Sequence, residues 1–304
     1  MLAGVTGAVI EVRNLTKSYG GVDAVKGIDL QVRRGEIFAL LGPNGAGKTT
    51  TVEILEGHRD RSGGEVSVLG HDPGKGGSDF KEKIGIVLQE TGVEPYLTVA
   101  EAIELFRGYY PNPRSVDDIV ELVGLGEKRN VRVSKLSGGQ QRRLDGAIGL
   151  AGNPDLLFLD EPTTGFDPSA RRQAWTIVRD LAREGKTVFL TTHYMDEAQF
   201  LADRVAIIVG GRIIAEGPPG ALAADHLAAT TISFALPEGR ALPPDLARDA
   251  TGAGTLVEIQ TRDPLRTLNE LTGWALREGV ELQGLSVGRP SLEDVYLDLT
   301  EAPA

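Results

Sequence analysis

Residues Gly42-Pro43-Asn44-Gly45-Ala46-Gly47-Lys48-Thr49 spell the pattern G-x-x-x-x-G-K-T of a phosphate-binding P-loop. What flanks them restricts the fold. Glu36–Leu41 is a mostly apolar run of strand length, as expected of a strand buried on both faces. Lys48–Gly57 reads as a helix closed by Gly57. Strand, glycine-rich turn and helix, in that order, form the unit from which α/β sheets with phosphate sites are built. Gly42, Gly45 and Gly47 allow backbone geometries and close approaches that side chains would block. Backbone N–H groups, the helix N-terminus and the Lys48 cation together meet clustered negative charge. Lys48 is expected at the β- and γ-phosphates of a nucleotide. Thr49 is expected on Mg²⁺ through its hydroxyl, with Thr50 following it at the start of the helix.

Other classes of chemistry are excluded by composition. The chain has 304 residues, enough for one large domain and a small second one. Its net charge of −11 argues against sequence-wide attraction to nucleic acid. The lack of cysteine removes disulfides, thiol catalysis and thiolate metal sites, and fits a reducing compartment. The four histidines, His58, His71, His193 and His226, contain no i, i+4 pair that could hold a metal on a helix. No apolar run approaches the roughly 20 residues that cross a bilayer, and the start of the chain lacks a signal-peptide pattern. A cytoplasmic chain is expected, reaching a membrane only through a partner.

Further elements follow from local signals. Val9–Asn14 and Gly27–Val32 alternate like strands, with Gly20-Gly21 as a turn between them. Thr98-Val99-Ala100-Glu101 is a capping box opening a helix toward Tyr110. Ser115 caps a second short helix. Residues 91–153 read as a helical insertion. Leu156–Leu159 and Thr187–Thr191 are buried strands, and between them Asp167 caps a helix with Pro168 in its first position. Val205–Val209 and Arg212–Ala215 form a hairpin about Gly210-Gly211. Gly217-Pro218-Pro219-Gly220 then closes this body. The expected division is 1–222 and 223–304, the second part a small α+β appendage that ends in a helix capped at Ser291.

Leu156-Leu157-Phe158-Leu159-Asp160-Glu161 is the second chemical signature. An apolar strand carries two carboxylates to its C-terminal end, the ligand edge of an open α/β sheet. Asp160 is placed to hold Mg²⁺ through water. Glu161 is the candidate general base for an attacking water. In Leu136-Ser137-Gly138-Gly139-Gln140, Ser137, Gly138 and Gly139 precede a helix from about Gln140 to Leu150, whose N-terminus offers N–H groups and a positive dipole end to an anion.

In order and spacing, this set resembles the ATP-binding-cassette (ABC) ATPases over about residues 8–217. The resemblance implies a P-loop cassette fold: a mixed β-sheet core with a helical subdomain, here followed by the small α+β domain. It also implies roles for single residues. Tyr19 resembles the aromatic residue that stacks on adenine. Gln89 resembles the glutamine that senses Mg²⁺ and faces the membrane domain. Leu136–Gln140 resembles the family signature, whose Ser137, Gly138, Gly139 and Gln140 meet the ATP bound by the opposite cassette. Asp167 resembles the aspartate that contacts that opposite cassette, and His193 the histidine at the γ-phosphate. Phe166 departs from the family, where leucine is common. The implied cofactors are ATP and Mg²⁺. The implied partners are a second copy of the chain and a transmembrane permease subunit, with no nucleic acid, and the implied location is the inner face of the cell membrane.

Within the family, Thr192–Ala198, Ser137–Leu144 and Ser291–Tyr296 resemble ATPases of the daunorubicin-resistance type. That implies hydrolysis of ATP to drive export of drugs, lipids or glycans. The alternatives are the ATPase of an importer, and a non-transport ABC protein acting on nucleic acid or the ribosome. Against the latter stand the acidic balance, the single cassette and the absence of long coiled coils.

Overall fold

A computed structural model describes residues 7–87, 92–226, 230–237, 239–248, 250–252, 255–288 and 291–301. The chain divides into two compact units, Met1–Pro218 and Pro219–Ala304.

The first unit opens with long antiparallel strands β1 (Ala8–Tyr19) and β2 (Val22–Arg33), joined through Gly20-Gly21. Both glycines have positive φ, as a tight hairpin between twisted strands requires. Next come β3 (Ile37–Leu41), α1 (Lys48–Leu55), β4 (Gly63–Val68), α2 (Ser78–Lys81) and β5 (Ile84–Val87). The helical segment holds α3 (Val99–Arg107), α4 (Val116–Leu122) and α5 (Gly138–Gly149). The body closes with β6 (Leu156–Asp160), α6 (Pro168–Arg183), β7 (Thr187–Thr192), α7 (Met195–Leu201), β8 (Arg204–Val209) and β9 (Arg212–Gly217).

Two sheets carry the unit. One is three-stranded in the order β2-β1-β4, and the other six-stranded in the order β5-β6-β7-β3-β8-β9. In the larger sheet every pairing is parallel except that of the edge strand β9. The burial patterns explain the division. Every residue of β3 and β7 is buried, as a parallel strand covered on both faces requires. Strand β9 alternates half-buried and exposed residues, as befits an edge. The core between the sheets is built on Phe38, Phe158 and Phe189, with Phe189 5.6 Å from Phe38 and 5.8 Å from Phe158 between ring centroids.

Caps fix the helix starts. Thr98 and Glu101 form the expected reciprocal box at α3, although that helix stops at Arg107, short of Tyr110. Ser115 caps α4, and Asp167 caps α6 through the N–H groups of Ser169 and Ala170 at 2.8 and 2.9 Å. Helix α1 ends at Leu55 rather than Gly57. Gly57 does take the left-handed φ of 77°, and a Cβ there would lie 2.6 Å from the Pro73 carbonyl oxygen.

The second unit comprises α8 (Pro219–His226), β10 (Thr230–Ala235), α9 (Pro244–Ala247), β11 (Ala250–Thr251), β12 (Leu256–Thr261), α10 (Pro264–Glu278), β13 (Gln283–Gly288) and α11 (Leu292–Glu301). Its antiparallel sheet runs β11-β12-β10-β13. Ile232, Phe234, Ile259 and Leu271 form a core of their own. A boundary after residue 222 would cut α8. That helix packs on α11, whose Leu292 and Val295 are buried, so the break falls at Pro218 instead.

Candidate active site

Strand register builds the site. Leu41 at the end of β3 lies opposite Thr192 in β7, and Asp160 at the end of β6 lies opposite Thr191. Three neighbouring strands therefore end at one level, and the chain turns at each end into the loop at Gly42, the Asp160-Glu161 pair and His193. This is the carboxyl edge of the sheet, where ligands of α/β folds bind.

The glycine-rich turn is closely held. The Gly42 N–H donates to the Thr192 carbonyl at 3.3 Å, and the Ala46 N–H to Pro43 at 3.2 Å. A Cβ on Gly42 would sit 2.3 Å from the Ile208 carbonyl oxygen, so any side chain there displaces backbone. Gly47, at φ 104°, is the residue before the first turn of α1 and would collide with the Ala24 carbonyl in the same way. Gly45 is also left-handed but faces open space. Asn44, Gly45 and Thr49 are exposed, Pro43 and Thr50 half-buried, Ala46 and Lys48 buried.

Lys48 reaches back over the turn. Its ammonium donates to the carbonyl of Gly42 at 2.8 Å and of Pro43 at 3.2 Å, and lies 3.5 Å from Glu161 Oε1. His193 Nδ1 is 3.1 Å from that same oxygen. Thr164 Oγ1 donates to the other oxygen, Oε2, at 3.3 Å. Burial pushes the Glu161 carboxyl up, but His193 and then Lys48 outweigh it and hold it below the usual range for glutamate. Glu161 is therefore an ionised carboxylate with a cation and an imidazole on one oxygen.

Its backbone is unusual. Glu161 has φ 48°, a left-handed conformation that costs a non-glycine residue about 1–2 kcal/mol. The surroundings impose it. The Glu161 N–H donates to both the carbonyl and the hydroxyl of Thr191 at 3.2 Å, and the Thr164 N–H returns to the Glu161 carbonyl at 3.2 Å. The Thr191 hydroxyl in turn donates to Asp160 Oδ1. The Thr191 hydroxyl thus holds the Asp160 carboxylate as donor and the Glu161 backbone as acceptor.

The other expected site residues lie apart from this cluster. Ser137 caps α5 in a reciprocal box with Gln140, and Gly138 and Gly139 occupy its first turn with open space where their Cβ atoms would be. No hydrogen bond or ion pair joins Ser137–Gln140 to Gly42–Thr50 among the described residues. Asp167 is exposed at the start of α6. Tyr19 stands half-exposed at the β1–β2 turn, with Lys17 Nζ 5.0 Å and the Arg59 guanidinium 5.4 Å from its ring centre. Gln89 lies outside the described residues. Phe166 lines a small apolar cavity of about 70 Å³ with Leu157, Leu159 and Ile177.

Among the described residues no group of three or more His, Cys, Asp or Glu could hold a metal ion. The donors available are the exposed Thr49 hydroxyl and the Asp160 carboxylate. A hard oxygen set this small fits Mg²⁺, which keeps its waters and takes further ligands from phosphates.

Several residues with a clear place here were not apparent from the sequence. Thr191 is the polar end of an apolar strand, and only the β6–β7 register brings it to Asp160. Thr164 hides in a turn. Glu56 is buried behind Asp160, and its carboxyl is pushed up to about 8 by burial, then by Asp160 and Glu53. A glutamate directly after the apolar pair Ile54-Leu55 was the available signal.

Comparison with known proteins identifies the family of the chain. The sequence profile of the ABC transporter family matches residues 25–164, and that of the "ABC transporter domain-containing protein-like, C-terminal domain" matches residues 230–291. The daunorubicin/doxorubicin resistance ATP-binding protein DrrA of Streptomyces peucetius is 39% identical, over 97% of this chain and 93% of its own. The Nod factor export ATP-binding protein I of Cupriavidus pinatubonensis is 37% identical, over 96% of this chain and 91% of its own. A dimeric ATP-binding cassette solved in a post-hydrolysis state with ADP and phosphate superposes with a TM-score of 0.62 at 28% identity, covering 69% of this chain and 98% of that one.

Proposed function

This chain belongs to the family of ABC transporter ATPases, and we propose that it is the ATP-hydrolysing subunit of an exporter, driving transport of drugs, lipids or glycans through a separate membrane subunit. The observation that carries the reading is the convergence of Lys48, Glu161 and His193 at one sheet edge, at 3.5 and 3.1 Å from a single carboxylate oxygen. Two relatives named for drug resistance and for Nod factor export align with it over 93% and 91% of their own lengths, which supports export over import.

Each residue has a task in this scheme. Lys48 and the N–H groups of Gly45–Thr50 bind the β- and γ-phosphates. Thr49 and Asp160 would hold Mg²⁺, which supplies neutralisation of phosphate charge when bound. Glu161 accepts the proton of the attacking water, being already ionised. His193 keeps the Glu161 carboxylate turned toward the phosphate edge and contacts the γ-phosphate. Tyr19 takes the adenine on its exposed face, its flanking cations adding attraction for the phosphates. Gln89 would report on the metal and on the membrane subunit.

Two copies complete the site. The N-terminus of α5, with Ser137, Gly138, Gly139 and Gln140, is a capped helix start that can meet the nucleotide held by the other copy. Asp167 extends from the start of α6 toward that copy. No helix among the described residues is long and apolar enough to cross a membrane. A transmembrane permease subunit is therefore the proposed link to the inner face of the cell membrane.

The test is hydrolysis and transport by the chain reconstituted with its membrane subunit. ATP-dependent export that stops with Glu161→Gln supports the reading. Hydrolysis with substrate uptake into the cell would make it an importer ATPase, and hydrolysis stimulated by nucleic acid instead would overturn the transport role.

A further inference from the structure

Glu197 is an acidic residue, completely buried and not part of the reacting cluster. It lies in the first turn of α7, four residues after His193, with 0% of its surface exposed. Its Oε1 accepts two hydrogen bonds, from the Thr163 hydroxyl at 2.7 Å and from the Trp175 indole N–H at 3.0 Å. Thr163 and Trp175 are themselves buried. Its Oε2 has no hydrogen-bond partner among the described residues. A buried carboxyl group satisfied on one oxygen is costly to keep, so its contacts invite a functional explanation.

The position of Thr163 supplies one. It follows Glu161 by two residues, in the loop that runs to Asp167, and its carbonyl accepts from the Phe166 N–H at 3.1 Å. Trp175 belongs to α6, which begins directly after that loop. Glu197 therefore ties the loop after Glu161 and the helix after the loop to the helix after His193. A second tie runs alongside. The Arg171 guanidinium of α6 sits 4.5 Å from the Tyr194 ring and 3.3 Å from Asp196 Oδ2, and the Tyr194 ring lies 4.1 Å from His193.

We propose that Glu197 is a positioning residue that sets Glu161 and His193 against each other, by clamping the 163–167 loop to the helix that follows His193. This rests on the ATPase reading. Glu161 holds its left-handed backbone only because its neighbours fix it, and Thr163 is the first residue beyond Pro162 whose side chain is anchored from outside the loop. With the clamp released, the loop is free to relax and the carboxylate to leave His193. The nucleotide-binding turn is untouched, because none of its hydrogen bonds involves Thr163, Trp175 or Glu197.

The test is steady-state ATP hydrolysis by the full chain, with kcat and KM read separately. Glu197→Leu keeps similar bulk and removes the acceptor. It should lower kcat by about 10–100-fold with KM for ATP within about twofold of wild type. Glu197→Gln keeps an acceptor oxygen for Thr163 and Trp175 and should restore most of the rate. Thr163→Val cuts the loop tie alone, so it carries the test if Glu197→Leu fails to fold, and it should reproduce the kcat loss. Unchanged kcat in folded Glu197→Leu or Thr163→Val would overturn the proposal, as would a Glu197→Gln variant no better than Glu197→Leu. Absence of ATP hydrolysis by the wild-type chain would overturn the ATPase reading instead.

Discussion

Glu161 Oε1 lies 3.1 Å from Nδ1 of His193, with Lys48 Nζ 3.5 Å from the same oxygen on its other side. One carboxylate oxygen is thus the meeting point of three sheet-edge loops. Lys48 also donates to the Gly42 and Pro43 carbonyls, so its charge is shared between the phosphate turn and the base. We propose that phosphates arriving in the turn compete with Glu161 for that ammonium. Nucleotide binding would then loosen Lys48 from Glu161 and leave His193 and Thr164 as the side chains against its carboxylate.

Replacing the base separates binding from turnover. Glu161→Gln keeps the size of the side chain and the Thr164 contact but loses proton acceptance, which is worth about 10²–10⁴-fold in rate. Nucleotide affinity should stay near wild type and phosphate release should nearly stop. Size-exclusion chromatography with ATP and Mg²⁺ should then show a trapped dimer. Hydrolysis at the wild-type rate would remove Glu161 from the role. Because His193 and Lys48 hold its carboxyl below the usual glutamate range, Glu161 remains ionised until the pH falls beneath that range. An acid limb in kcat above it belongs to another group.

The composite site can be tested by mixing. Lys48→Ala removes the cation and should weaken nucleotide binding in its own subunit. For the signature segment Gly139→Asp is the cleaner change. The new side chain enters open space, spares the Ser137–Gln140 cap, and an acid in the first helical turn is compatible with the helix dipole. It should still repel a phosphate. Each variant alone should be inactive, and an equal mixture should regain activity through the one heterodimer site that carries neither change. A mixture as inactive as its parents would contradict the shared site.

Glu56 gives a stability signature. Its carboxyl is pushed up to about 8 by burial, then by Asp160 and Glu53, and His58 Nδ1 lies 3.3 Å from its Oε2. Above the ordinary value of 4.5 the unfolded chain gives up this proton while the folded chain keeps it. The stability from the neutral form is complete below that value and is lost as pH rises through about 8. The loss is on the order of a few kcal/mol. Denaturant melts of wild type and Glu56→Gln at about pH 5 and about pH 9 should diverge only at the higher pH, with the variant the more stable. Parallel curves at both would exclude a buried acid there.

What the sequence disclosed was what chain neighbours decide. The turn at Gly42–Thr49, the caps at Thr98, Ser115 and Asp167, and the buried runs of β3, β6 and β7 are set within a few residues of one another, and each is present. Strands β4 and β5 were not legible. Gly63-Gly64 weakens the first as a strand signal, and the second spans only Ile84–Val87; both exist because β1 and β6 offer edges to pair with. The same holds at the site. Lys48 and Glu161 carry their own motifs, but the Thr191 link to Asp160 and the Glu197 link to Thr163 and Trp175 span 31, 34 and 22 residues and follow from sheet register and helix packing. Polar contacts of that range leave no periodic trace in a single sequence.

The second unit should prove separable from nucleotide binding. Every candidate ATP contact lies before Pro218, and residues 219–304 have a core of their own around Ile232, Phe234 and Leu271. Helix α8 belongs with that unit, since it packs on α11, so a clean truncation ends at Pro218 rather than at residue 222. Leaving residues 219–222 behind would strand the first half of a helix without its partner. Chain 1–218 should fold and bind ATP with affinity near that of the full chain. We propose that the second unit reinforces the dimer or its coupling to the membrane subunit, so the truncated chain should dimerise more weakly in ATP or transport less. Nucleotide titration and sedimentation of both forms check this together. Loss of ATP binding by a folded 1–218 chain would contradict the division, and unchanged dimerisation and transport would leave residues 219–304 with a packing role alone.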